Sequence, residues 1–393
     1  MNSNSQEKET LNNADPTSHN QFDKMEWAGA FGDLGTFIPF AAGYISILKM
    51  DPNGLLFAFG MAMIFCGVYY KTPIPVQPMK AIGAVAITQA AQTHVITPET
   101  VIAASLATGI LWLLIGLTGA ANRIEKLVPR SVVAGIVLGL GLNFMIKGIH
   151  MMIQHWIVAG FSLLATFLLL NNRRIPVMFL LLLSGGIYGA ILHPELVHGL
   201  TSHPLAVRFP GFALLDLGWD DIFIGTVFLA IPQLPLTLGN AVIAIRDENN
   251  RLFPEQPVTY GIITTSTGLM NICGSLIGGV PMCHGAGGMA GHAAFGARTG
   301  GAIIILGTLL LMLSLFFSDS VAMLFQLIPS IILGIIIFIA GAQLASGAFI
   351  SHKNNKKYLI TFITAALTMW NIGVAFIFGI SCEYFVKNKL NRL

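Results

Sequence analysis

Long apolar segments recur along the chain, separated by short polar breaks. They fall at 27–48, 54–70, 75–92, 99–120, 131–151, 154–170 and 175–192, and then, after a polar stretch with Pro204, Pro210, Asp216, Asp220 and Asp221, at 222–245, 258–278, 281–297, 301–317, 329–349, 357–370 and 371–386. Apolar runs near this length are transmembrane helix candidates, so the pattern predicts fourteen spans, seven on each side of the polar stretch. The last two segments are joined with almost no loop. One segment breaks the rule. YKTPIPVQPMKAIGAVAIT, Tyr70–Thr88, should be a span, yet it opens with Pro73, Pro75 and Pro78 and carries Lys80.

Composition agrees with a polytopic membrane protein. The 393 residues are 54% apolar and 10% charged, with mean hydropathy +0.74, whereas soluble domains carry about 25% charged residues. The polar, Asn-rich residues 1–26 lack the basic start and short apolar core of a signal peptide and are expected to be a disordered cytoplasmic tail. With the N-terminus inside, seventeen of the twenty-one Lys and Arg fall in inside segments, three (Lys49, Lys147, Arg208) fall outside, and Lys80 lies within a span. That asymmetry follows the positive-inside rule and places both termini in the cytoplasm. Cys66, Cys273, Cys283 and Cys382 show no paired spacing, so neither a disulfide framework nor a metal site is indicated. No P-loop, G-x-S-x-G or HExxH motif is present. The chain is therefore expected to be no enzyme, to need no cofactor and to bind no nucleic acid.

Three sequence matches suggest an internal repeat. Val128–Gly148 resembles Ile328–Gly347, Ile74–Ala86 matches Val280–His292, and Phe31–Phe37 faces Ile231–Thr237, all at offsets near 200. An odd number of spans per repeat makes the second copy enter the membrane from the opposite side, the inverted-repeat build of secondary transporters. The fold class is thus an all-α polytopic membrane protein of fourteen segments in a 7+7 inverted repeat. Short extended segments are expected before half-helices in spans 3 and 10. Pro75 and Pro78 remove donors and disfavour helix at Ile74 and Gln77. Val280–Cys283 reads the same way, ending at His284-Gly-Ala-Gly-Gly. Extended backbone survives at membrane depth only when buried in protein or lining a cavity, and two such segments can satisfy each other by pairing.

Each half-helix would start mid-membrane with free N–H groups and its positive dipole end facing a cavity, a ready anion site. Lys80 in the first turn worsens the local dipole but attracts an anion, and it costs about 2.5–3.5 kcal/mol on insertion scales. The structural alternative is a Lys80–Asp33 pair. Gly285, Gly287 and Gly288 would let a ligand approach backbone. Asp33 and His284 are the proton-coupling candidates, with a helix cap or a satisfied core histidine as the plain alternatives. Thr36, Gln233 and Asn240 are polar groups that either line the cavity or bond between helices.

GDLGTFIP (Gly32–Pro39), PVQPMKAIGAVA (Pro75–Ala86) and VPMCHGAGGMAGHAAFGARTG (Val280–Gly300) together resemble the molybdate/sulfate permease family over about residues 27–350. The resemblance implies a core domain of spans 1–4 and 8–11 (27–122 and 222–318), a gate domain of spans 5–7 and 12–14 (123–200 and 319–393, the latter including the C-terminal tail), and an extracytoplasmic linker at 201–221. Its binding region carries over onto Gln77, Pro78, Met79, Lys80, Cys283, His284, Gly285, Ala286, Gly287 and Gly288, with contributions near Asp33 and Gln233. The absence of a regulatory domain after the last span favours the molybdate-type branch. The expectation is a secondary transporter importing molybdate, or sulfate, by proton symport with alternating access. It would sit as a multi-pass protein in the lipid bilayer of an inner membrane, with a homodimer expected by analogy. The alternatives are a nucleobase or aromatic carboxylate symporter of the same fold, or a small-anion channel.

Overall fold

The computed structural model describes residues 19–93, 96–121, 129–169, 177–202, 206–347, 355–370 and 372–390. Helices occupy the apolar segments. They are α1 (Lys24–Ala30), α2 (Leu34–Ser46), α3 (Pro52–Tyr70), α4 (Lys80–Thr93), α5 (Pro98–Leu117), α6 (Arg130–Met152), α7 (Trp156–Leu169), α8 (Val177–Leu192), α9 (Pro194–Ser202), α10 (Trp219–Leu252), α11 (Tyr260–Leu276), α12 (Ala286–Ala294), α13 (Gly301–Gln326), α14 (Ser330–Gly347), α15 (Asn355–Trp370) and α16 (Ile372–Leu390). Five described segments are long and apolar enough to cross a membrane by length and composition alone: α3, α5, α6, α10 and Gly301–Ser318 within α13.

Local chemistry sets several helix starts. Asp51 accepts from Asn53 N–H, with Pro52 in the first turn of α3. Thr97 and Thr100 form a capping box around Pro98, the first residue of α5. Thr259 caps α11. These side chains satisfy donors that a helix start otherwise leaves open. α3 ends at Lys71 and α11 ends just before Gly278, both in left-handed backbone (φ 56° and 80°), and the chain then turns into extended structure.

Two short strands, β1 (Gln77–Pro78) and β2 (Met282–Cys283), pair antiparallel with Gln77 opposite Cys283 and Pro78 opposite Met282. Met79 N–H donates to Pro281 O at 2.8 Å, extending the contact. The strands are fully buried, and α4 and α12 lead away from them.

Helix pairs pack backbone to backbone through small residues. A Cβ on Gly141 of α6 would lie 2.7 Å from Gly341 O of α14, and one on Gly341 would lie 2.6 Å from Gly141 O. Gly67 of α3 meets Gly300, just before α13, in the same manner. Lipid offers helices no hydrophobic drive to associate, so close van der Waals approach at small residues takes that role.

Several expectations change. The tail predicted over 1–26 is helix from Lys24 onward, with Asp23 as its cap; its residues 1–18 lie outside the described residues. Glu26 is buried, and its carboxylate accepts from the N–H groups of Arg298, Thr299 and Ala302 at 2.8–2.9 Å. It thereby caps the start of α13. Lys147, counted on the outer side at the end of span 131–151, lies in the last turns of α6 with its ammonium 3.5 Å from Ile87 O of α4. The stretch 201–221 is not all linker, because a 3-10 turn forms at Ala213–Asp216 and α10 begins at Trp219. The predicted eighth span lengthens to Trp219–Leu252 and contains π-helical turns at Gly225–Ala230 and Thr237–Ile243. The eleventh extends to Gln326 across a kink at Phe317.

Replacing Glu26 by Ala strands three N–H donors, two of them buried (Thr299 and Ala302), each buried one costing on the order of 1–3 kcal/mol when unpaired. Glu26→Ala should lower the thermal unfolding midpoint in detergent more than Asp23→Ala, which removes an exposed cap. Equal, small shifts would contradict the capping role.

Candidate functional site

The strand pair aims two helix N-termini, those of α4 and α12, and their surroundings differ. On the α4 side, Gln233 of α10 presents Oε1 to the N–H groups of Ala81 (2.8 Å) and Ile82 (3.2 Å), while its Nε2 donates to Thr237 Oγ1 at 2.9 Å. Two donors of this terminus are therefore already used by a neutral amide. Lys80 is half-buried at the same end and forms no ion pair or hydrogen bond among the described residues. The Lys80–Asp33 pair considered above does not form.

On the α12 side, the N-cap is Gly285, which has no side chain to offer. Gly287 is exposed, and a Cβ there would meet nothing within 4 Å. No side chain caps the first-turn N–H groups, which carry the positive end of the helix dipole. Asp33 and Gln77 stand beside this terminus. Gln77 Nε2 donates to Asp33 Oδ2 at 2.6 Å. A Cβ on Gly288 would lie 2.6 Å from Asp33 Oδ2 and collide with Gln77 Nε2, and one on Gly285 would collide with Gln77 Oε1. Gln77 is wholly buried, and its Oε1 has no hydrogen-bond partner. Thr36, His292 and Lys80 lie within electrostatic reach of the same carboxylate.

His284 is also wholly buried. Its Nδ1 lies 2.9 Å from Pro75 O and its Nε2 lies 2.8 Å from Ser266 Oγ, which in turn contacts Tyr70 OH at 2.5 Å. Pro75 O can only accept, so Nδ1 carries hydrogen and Nε2 accepts from Ser266 in the neutral ring. The histidine bolts the extended segment of one half to α11 of the other. Asn271 does similar work, since its Nδ2 donates to Met282 O (2.6 Å) and its Oδ1 accepts from Met282 N–H (2.7 Å). It supplies β2 with the outer partner that a third strand would give. β1 cannot be extended symmetrically, because Pro78 has no donor.

Of the residues singled out in the sequence, Asp33, Thr36, Gln77, Pro78, Met79, Lys80, Gln233, Cys283, His284, Gly285, Ala286, Gly287 and Gly288 gather around the two helix starts. Pro78, Met79 and Cys283 are buried in the strand pair and the turn into α4. Asn240 is half-buried in a π-helical turn and makes no hydrogen bond to the others among the described residues. The sequence reading missed Tyr44, Tyr70, Ser266 and Asn271. Tyr44 is wholly buried with its hydroxyl unpartnered, near Gly83 and within electrostatic reach of the Cys283 thiol. A polar run on an otherwise apolar helix, Thr264 to Asn271, was the available signal for Ser266 and Asn271.

This geometry can bind a small anion through backbone donors, with an ammonium nearby and a carboxylate at its edge. No cluster of metal-ligating side chains occurs among the described residues.

Comparison with known proteins agrees with an anion carrier. A family model described as "Molybdate transporter of MFS superfamily" matches residues 25–144 and 225–344. The chain is 31% identical to Molybdate transporter 2 of Arabidopsis thaliana, over 94% of this chain and 88% of the relative. It is 29% identical to Molybdate transporter 1 of the same plant, over 89% and 85%. The fold is similar to the transmembrane domain of the cyanobacterial bicarbonate transporter BicA, with TM-score 0.62 at 16% identity, covering 91% of this chain and 98% of that one.

The two glycines separate packing from access. Gly288→Ala should destabilise the protein by about 1–3 kcal/mol through overpacking against Gln77 and Asp33. Gly287→Ala, with open space before it, should unfold at the parent temperature. Thermal unfolding of both variants in detergent checks this, and a Gly288→Ala protein as stable as the parent would contradict the packing described.

Proposed function

The chain belongs to the molybdate transporter family, and from that premise we propose that it imports molybdate, with sulfate as the competing oxyanion, by proton symport. The observation that carries the proposal is the uncapped start of α12, faced by Gly287 and open space, with Lys80 unpaired and Asp33 alongside. Backbone donors and one ammonium suit a tetrahedral dianion that offers acceptors on every side. Molybdate and sulfate share that shape and charge, so fine geometry decides between them.

Moving a dianion inward against an inside-negative potential costs about 4.6 kcal/mol at 100 mV. Cotransported protons offset that cost. Asp33 is the better carrier of the two candidates. Its carboxylate adjoins the anion-binding helix start, where an ionised form repels a dianion and a protonated form does not. His284 has both ring nitrogens engaged by Pro75 and Ser266 and is assigned to holding the strand pair.

The proposed architecture is fourteen spans in two inverted repeats, both termini cytoplasmic. Three observations support it. The family match falls on two stretches starting 200 residues apart. Gly141 and Gly341, also 200 apart, meet reciprocally. Gln77 and Cys283, which correspond in the repeat, face each other across the strand pair. Spans 1–4 and 8–11 would form the core that carries the site, and spans 5–7 and 12–14 the gate. Alternating access is movement of one against the other. The inner membrane and a homodimer belong to the same proposal.

In proteoliposomes, labelled molybdate uptake should require an inward proton gradient and be blocked by excess sulfate but not by uracil. Lys80→Ala should raise the half-saturating molybdate concentration on the order of ten-fold, the worth of a hydrogen bond to a charged group. Uptake and affinity unchanged in Lys80→Ala would remove this lysine from the site.

A further inference from the structure

Gln77 stands between the proposed proton site and the proposed anion site, and each end of its amide touches one of them. Nε2 donates to Asp33 Oδ2 at 2.6 Å. Oε1 is buried without a partner and lies against Gly285, the N-cap of α12. An acceptor left bare at the start of a helix is a poor neighbour for an oxyanion, because both present lone pairs. It is also costly, since a buried polar atom without a partner loses its hydration.

We propose that Gln77 is the coupling residue: its side-chain amide turns over when Asp33 gains a proton, and so prepares the anion site. With Asp33 ionised, the carboxylate accepts from Nε2 and Oε1 faces Gly285, as in this structure. With Asp33 protonated, the carboxyl O–H becomes a donor, and the amide rotates by half a turn about its last bond so that Oε1 accepts from it. Nε2 then faces the start of α12 and donates to the incoming oxyanion together with the backbone N–H groups. Amide oxygen and nitrogen have nearly the same size, so the exchange needs no repacking. Only a proton is gained or lost. No covalent bond other than that O–H changes.

The surrounding groups are compatible with this exchange. Asp33 is faced by Thr36 on its own helix, by Lys80 on α4 and by His292 on α12. His292 has its Nδ1 2.7 Å from Gly29 O. The Cys283 thiol lies within reach of both Lys80 and Asp33, and Tyr44 lies near that thiol. None of these side chains makes a hydrogen bond to Gln77 Oε1. The exchange rests on the proton–molybdate reading given above and adds a physical link between the two ligands.

The test is molybdate binding to the purified protein in detergent, measured calorimetrically across the pH range in which molybdate stays dianionic. For the parent, affinity should rise as pH falls. Asp33→Asn, whose amide can donate to Gln77 Oε1 at every pH, should bind tightly at every pH and lose gradient-driven accumulation. Gln77→Met should bind more weakly than the parent at low pH, on the order of ten-fold for a lost charge-assisted hydrogen bond, and show little pH dependence. An Asp33→Asn protein that keeps the parental pH dependence would overturn the proton site itself. A flat Asp33→Asn profile beside a Gln77→Met protein with parental affinity and pH dependence would overturn the Gln77 relay alone and leave the proton site standing. Infrared difference spectra of the parent protein with carbonyl-labelled glutamine need no folded variant. Molybdate should shift a glutamine side-chain band as a protonated-carboxyl band appears, and a spectrum with no glutamine change would also overturn the relay.

Discussion

The backbone pairing of Gln77–Pro78 with Met282–Cys283 is the contact on which the site depends. Non-helical backbone inside a membrane must find its hydrogen bonds within the protein. Here two such segments meet each other, and the remaining edge groups are taken by side chains: Asn271 on Met282 and His284 on Pro75. Once these segments are held, the direction of α4 and α12 follows, because each helix begins within a few residues of its strand. The proposed binding machinery is thus backbone, aimed by a few buried polar side chains.

The two half-helices are not equivalent partners. Gln233 closes part of the α4 start with a neutral amide, whereas α12 is left open behind Gly285. Asp33 lies 200 positions before Gln233 and stands beside α12 much as Gln233 stands on α4. On the proposed reading, a neutral capping amide at one helix start and a titratable carboxylate beside the uncapped other give a physical origin for directionality. One end is permanently satisfied. In the proposed cycle the other alternates between a carboxylate and an oxyanion as company for its dipole. The family membership places this asymmetry within a molybdate transporter family.

Much of this was legible in the sequence, for identifiable reasons. Apolar length marks membrane helices strongly. A proline disfavours helix at the residue before it, so the closely spaced Pro75 and Pro78, and Pro281, pointed to the extended segments, although Pro39 and Pro235 sit inside helices; clustered glycines pointed to an open helix start. Other features escaped. Glu26 read as part of a polar tail because the N–H groups it caps lie some 270 positions away. The contact of Lys147 with Ile87 O escaped because charge bias counts a residue without showing where its long stem leads. Ser266, Asn271 and Tyr44 carry no charge and no motif. Their importance lies in which backbone or side-chain atoms they reach across the fold.

The most direct measurement is X-ray diffraction from crystals of the protein grown with molybdate, using the anomalous signal of molybdenum to locate the anion. The account predicts a single peak at the start of α12, within hydrogen-bond reach of Gly287 N–H and in contact with the Lys80 ammonium. A peak remote from the strand pair, with this helix start unchanged, would contradict it.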